Sequence, residues 1–278
     1  MIYKATSAIL NTTFRRAAFS LLAATGLGLV SVASAQVVNV DFQPGGTPAG
    51  NSSINYSGQG AYSDPGNNVW NNVAPVDGGG GYQNEFGSGG FSGGTNGVTL
   101  VNSAGAATGL TLDIGSADMF AIASTNGSFA NIADNAKGLM SDYLITPSDF
   151  SRYVNLNGLD TSATYDLYLY GAADFTSHHT QFTLSNGDIS FGTLATSGVP
   201  GGSHDLTAGA DYVVFHNVTA ATGFLGITYQ GVVANDEGPF NGFQLVVVPE
   251  PATSAMVLMA ILSTGCLVKR RKVAGETL

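Results

Sequence analysis

Tyr165-Asp166-Leu167-Tyr168-Leu169-Tyr170 is the stretch that decides the fold. It has no glycine or proline, and large apolar side chains recur along it at short spacing. Such a run reads as a strand with at least one buried face. The tyrosines are expected on one face, and Asp166 with the leucines on the other. Working outward, Asn157-Gly158 marks a turn before it and Ser185-Asn186-Gly187-Asp188 another after it. Pro200-Gly201-Gly202 marks a third.

Between such turns lie further β-like runs, at residues 37–42, 97–101, 110–114, 119–123, 181–184, 189–194, 212–218, 224–229 and 243–248. Tyr153-Val154-Asn155-Leu156 is a shorter strand-like run. Only residues 131–143 suggest a helix. Many short strands with few helices predict an all-β, jelly-roll-like β-sandwich. Residues 44–97 differ, with 16 glycines and few large aliphatics. They are expected to form long Gly-rich loops. Trp70 and Tyr82 stand among the aromatics of this region as candidate ligand-binding residues. The competing expectation is that such aromatics pin the loops to the sandwich.

The 278-residue chain divides into a body, 36–248, and two compositionally distinct ends. Seven of the nine Lys and Arg lie in the ends, leaving the body only Lys137 and Arg152. Two cations against 17 acids give the body a formal charge of −15. Such a surface repels phosphate, which excludes nucleic acid as a partner. The single cysteine, Cys266, lies outside the body, which therefore has no disulfide and no thiolate metal site.

Residues 1–35 read as a cleaved signal peptide. Lys4, Arg15 and Arg16 precede an apolar run through Val30, and Ala33-Ser34-Ala35 supplies the small residues a signal peptidase accepts. Cleavage is expected before Gln36. At the other end, Pro249-Glu250-Pro251 precedes an uncharged stretch, 252–268, and the basic cluster Lys269-Arg270-Arg271-Lys272. The stretch is 17 residues long, near the lower limit for a single transmembrane helix. Its basic flank is expected to stay cytoplasmic, which places the body outside.

This order closely resembles the PEP-CTERM sorting signal of Gram-negative bacteria that make extracellular polysaccharide, with residues 249–278 as the sorting tail. The resemblance implies recognition by an exosortase, which cuts near Pro-Glu-Pro. The body would then be anchored in the membrane through its C-terminal helix until processing, and afterwards lie at the cell surface or in the extracellular matrix. The body itself loosely resembles uncharacterised PEP-CTERM proteins with a carbohydrate-binding-module-like jelly roll. The residues that carry this are Val38-Asn39-Val40-Asp41-Phe42, Asp64 to Asn71, Gly158-Leu159 with Tyr165 to Tyr168, and Asn241 to Val246. It implies polysaccharide as a partner.

Little in the body points to catalysis. Gly90-Phe91-Ser92-Gly93-Gly94 fits a nucleophile-elbow pattern but lacks the strand and helix that chemistry needs. Ser203-His204-Asp205 are sequence neighbours and cannot converge as a triad does. His178-His179 near Asp174 reads as a surface loop. Asp41, Asp64, Asp174, Asp236 and Glu237 are the acids a glycosidase would draw on, with solvation of an acidic surface as the default. No cofactor is expected other than calcium. Its candidate ligands are Asp236 and Glu237 in the cluster Asn235-Asp236-Glu237-Gly238, joined by Asp41 if the first and last strands are neighbours. The sequence thus leads to a non-enzymatic surface or matrix protein with weak carbohydrate binding. A purely structural or adhesive protein is the first alternative, and a secreted carbohydrate-active enzyme the second.

Overall fold

A computed structural model describes residues 36–43, 56–64, 68–73, 95–115, 117–122, 127–198, 202–234 and 236–249. The signal peptide with Ala33 and Ala35, the sorting residues Glu250, Pro251, Lys269, Arg270, Arg271 and Lys272, the candidate span 252–268, Tyr82 and Asn235 lie outside the described residues. No helix among the described residues is long and apolar enough to cross a membrane.

The body, 35–248, is one compact unit, with fourteen strands among its described residues. They are β1 (Val37–Phe42), β2 (Trp70–Val73), β3 (Thr95–Val101), β4 (Ala107–Ile114), β5 (Asp118–Ala121), β6 (Asp142–Pro147), β7 (Arg152–Asn157), β8 (Thr164–Tyr170), β9 (Thr180–Ser185), β10 (Ser190–Ala195), β11 (Tyr212–Thr219), β12 (Phe224–Gly231), β13 (Glu237–Phe240) and β14 (Gly242–Val248). The expected helix over 131–143 shrinks to one 3-10 turn, Asp134–Ala136, and one α-helical turn, α1 (Lys137–Met140), before β6 begins.

Two sheets make the sandwich. One runs β11-β8-β14-β1-β2, the other β10-β9-β12-β7-β4-β3. A third, β13-β6-β5, adds its own residues to the same core. The first and last strands are neighbours, β1 pairing antiparallel with β14 from Val37↔Val246 to Asp41↔Gly242. Gln36, the residue after the expected cleavage, accepts a 2.9 Å bond from the Val247 N–H and lies beside the end of the last strand.

Strand periodicity builds the core. Tyr165, Leu167 and Leu169 of β8 point inward, as do Val38, Val40 and Phe42 of β1. They meet Leu112, Ile114, Val154, Leu156, Leu184 and Ile227 from the second sheet. Each such side chain contributes about 1.5–3 kcal/mol of burial. The tyrosines of β8 therefore do not share a face. Tyr165 joins the leucines in the core, while Tyr168 and Tyr170 project with Asp166 on the outer side. Two residues per repeat force this split, because 165 and 168 differ by an odd number.

Unlike a half-solvated strand, β1 is buried along its whole length. Its outward residues Asn39 and Asp41 lie under a second, smaller core that includes Tyr56, Trp70, Leu139, Met140, Tyr143 and Tyr170. Backbone approach there is close. A Cβ on Gly242 would sit 2.2 Å from the Val40 carbonyl oxygen, so only glycine fits opposite Asp41.

Candidate functional site

The second core covers one part of the outer face of the first sheet. Beside it stands a strip of three tyrosines, Tyr62, Tyr168 and Tyr212, each half-buried. Their rings follow one another at centroid distances of 6.0 Å and 6.2 Å. Tyr168 lies on β8 and Tyr212 on β11, brought together by antiparallel pairing in which Tyr168 stands opposite Val214 and Tyr212 opposite Tyr170. Burial raises the phenols of Tyr168 and Tyr212, and nearby Asp166 and Asp211 raise them further. The rings therefore stay neutral hydrogen-bonding groups at physiological pH.

Tyr62 is not on a strand. Buried Gln244 of β14 holds it from both sides: the Tyr62 N–H donates to Gln244 Oε1 at 2.9 Å, and Gln244 Nε2 donates to the Tyr62 carbonyl at 3.0 Å. The same glutamine accepts from the Tyr170 hydroxyl at 2.5 Å and donates to Asn39 Oδ1 at 2.9 Å. One side chain thus replaces an edge strand and fixes the loop. The Ala61 N–H donates to the Tyr170 hydroxyl at 2.7 Å, and Ser103 donates to Asp64 at 2.6 Å.

A polar cluster flanks the strip. Between Phe215 and Val218 the pairing of β11 with β8 slips, and Asn217 takes φ 56°. The bulge brings both His216 and Asn217 to Asp166, on the same face as Tyr168. His216 Nδ1 is 2.9 Å from Asp166 Oδ2, and the Asn217 N–H donates to Oδ1 at 2.9 Å. His216 is 61 % exposed. The site therefore offers half-buried rings in a row, tilted by 57° and 39° to one another, with an oriented carboxylate, an imidazole and phenol hydroxyls beside them. That arrangement suits a ligand with flat apolar faces and many hydroxyls.

Trp70 belongs to the fold instead. It is 6 % exposed, donates from Nε1 to the Gly58 carbonyl at 3.0 Å, and packs edge-on against Tyr56 at 4.9 Å. As a ligand-binding residue it is corrected to a pin, because both its ring and its N–H are already engaged. The ring strip with its glutamine anchor escaped sequence reading. The pairing register that joins Tyr168 to Tyr212, and the side-chain bonds that add Tyr62, are tertiary.

The candidate acids separate into three places. Asp64 is bound by Ser103. Asp41 lies beside Asp142, and burial, then the charge of Asp142, raises its carboxyl well above the usual range. Asp236 and Glu237 lie at the other end of the third sheet, Glu237 pairing with Pro147 while Asp142 opens the same strand β6. Five residues of strand span roughly 17 Å, so Asp41 does not share a cation with Asp236 and Glu237. No group of three or more His, Cys, Asp or Glu able to hold a metal ion occurs among the described residues.

His178 is more than a surface-loop residue. It bridges Asp174 at 3.3 Å and Asp236 at 3.1 Å, closing two loops into a clasp. Burial pulls its imidazole pKa down, but the Asp174 hydrogen bond and the charges of Glu237 and Asp236 outweigh it and leave it raised. Burial raises the Glu237 carboxyl, and His178 draws it back. Neighbouring Ser203 and His204 go to different partners: the serine bonds Asp134, and the histidine bonds Asp211 at 3.2 Å.

No family model and no curated protein matches this chain. Among solved structures, carbohydrate-binding modules with jelly-roll folds are similar to part of it. A family-36 module in complex with calcium and xylotriose is 14 % identical, with 48 % of this chain and 91 % of that one covered, at a TM-score of 0.29. A family-61 module with β-1,4-galactotriose is 12 % identical, with 49 % and 86 % covered, at 0.28. A family-36 module of a multidomain xylanase from the hindgut metagenome of Trinervitermes trinervoides is 17 % identical, with 49 % and 95 % covered, at 0.28. The class defined by the chain's own strands is the all-β, jelly-roll-like sandwich.

Proposed function

We propose that this is an exported, exosortase-sorted protein of the cell surface or extracellular matrix, non-enzymatic, whose sandwich binds a neutral polysaccharide weakly. The observation that carries the binding reading is the row Tyr62, Tyr168 and Tyr212, presented on a sheet face and flanked by Asp166 and His216. Sugar rings have apolar C–H faces that pack on aromatic rings and hydroxyls that bond to polar side chains. The formal charge of −15 on the body disfavours acidic glycans, which leaves neutral ones. Half-buried rings on an open face bury only part of a ligand, and weak binding follows.

The export and sorting parts rest on the two ends of the sequence. Expression of the full chain with and without an exosortase, followed by intact-mass measurement of the mature C-terminus, tests them. An end near Pro251 only when the enzyme is present is the expected result. An intact tail in the membrane in both hosts would make 252–268 a plain anchor and remove the sorting reading.

A further inference from the structure

Two carboxylates lie buried where the first sheet meets the third. Asp41, near the end of β1, is 0 % exposed, and Asp142, the first residue of β6, is 1 % exposed. Asp41 Oδ2 accepts from Gln43 Nε2 at 2.8 Å, and the carboxylate also takes the Tyr56 backbone N–H. Among the described residues, Asp41 Oδ1 and Asp142 Oδ2 have no hydrogen-bond partner. Among the described residues, no cationic side chain acts on either group. Lys137, the nearest cation in sequence, is committed to Asp134 at 2.7 Å.

Buried charges without a partner are costly, and proteins either neutralise them or bind metal with them. Burial raises both carboxyls, that of Asp142 to about 8, and the charge of Asp142 raises Asp41 further, against the opposing pull of the two N–H donors on Asp41. In the absence of a cation, protons on the two acids neutralise them. A divalent cation would neutralise both and occupy both orphan oxygens. The donors at hand are carboxylates and the amide of Gln43, with no thiol or imidazole, which is the ligand chemistry of a hard cation.

We infer that Asp41 and Asp142 are the paired carboxylate ligands of a divalent-cation site that takes calcium. The site ties β1 to β6, and so joins the first sheet to the third at the edge of the small core. It is structural in position, lying inside the fold and apart from the clasp around His178. Calcium here is bound by a different set of acids from the one the sequence suggested, with only Asp41 in common.

The test is thermal unfolding of the full chain, stripped with EDTA and then returned to calcium at neutral pH. Calcium at about a hundredfold excess over its Kd is expected to raise the wild-type Tm by roughly 5–10 °C. Asp142→Asn should abolish that rise, while Asp236→Asn keeps it. The asparagine is isosteric and removes a buried charge, so the variant folds without calcium and remains measurable. A wild-type curve that calcium does not move overturns the inference. A shift that survives Asp142→Asn overturns it as well, since the ion would then bind elsewhere.

Discussion

Phe240→Ala is expected to destabilise the protein by about 3–5 kcal/mol, the range for truncating a buried phenylalanine. Phe240 is fully buried at the end of β13. Its ring packs edge-on against Phe42 of the first sheet at 5.0 Å and against Phe182 of the second at 5.0 Å. Tyr229, also of the second sheet, lies at 5.1 Å. One side chain therefore joins all three sheets, and neighbours held on three sides by backbone pairing cannot collapse into the space it leaves. Urea unfolding of the variant measures the loss. A cost below about 1 kcal/mol would mean that the third sheet is not packed on the sandwich core as described.

Gln244→Ala has the second largest expected effect and reaches function as well as stability. The substitution strips partners from the Tyr62 N–H, the Tyr62 carbonyl, the Tyr170 hydroxyl and Asn39. An orphaned buried polar group costs about 1–3 kcal/mol, and Tyr62 lies near enough to solvent for water to replace part of its bonding. The expected net loss is about 2–4 kcal/mol. Released from β14, Tyr62 should leave the ring row, so glycan affinity falls although no ring has been removed. Unfolding and binding measured on one preparation check both halves. Loss of stability with unchanged affinity would take Tyr62 out of the binding strip.

Much of the sandwich was legible in the sequence because a pleated strand repeats every two residues. The Tyr165 to Tyr170 run, the apolar β12 and β14 and the glycine turns all declare themselves locally. Gly158 at φ 82° and Gly187 at φ 91° take the conformation their turn signals imply. The strands that stayed hidden owe their pairing to side chains or to context. Trp70–Val73 looks like glycine-rich loop. It becomes a strand because Asn71 donates to the carbonyls of Asn39 and Val101 and accepts the Val101 N–H. Glu237–Phe240 contains Pro239, which reads as a break, yet a sheet-edge strand tolerates proline. Residues 142–147 sit behind an apolar stretch whose helix and strand periods are hard to separate over so short a run.

The sites were less legible for one physical reason. Each is assembled across strands distant in sequence. Tyr168 meets Tyr212 through the β8–β11 register, and Tyr62 arrives through a glutamine near the other end of the body. Asp41 meets Asp142 only once β1 and β6 are packed. His178 finds Asp236 through loop closure, although its near neighbour Asp174 was visible from the start.

The most direct test of the account is affinity electrophoresis of the full chain through gels containing neutral polysaccharides, wild type beside Tyr168→Ala and Tyr212→Ala. Wild type should be retarded by at least one neutral glycan and by no acidic one. Tyr168→Ala, which removes the middle ring, should lose about tenfold in affinity, the equivalent of roughly 1.4 kcal/mol, with Tyr212→Ala weakened as well. Retardation that survives both substitutions would place binding elsewhere on the sandwich. A wild-type protein that no neutral glycan retards would contradict the carbohydrate reading and leave a structural or adhesive matrix protein in its place.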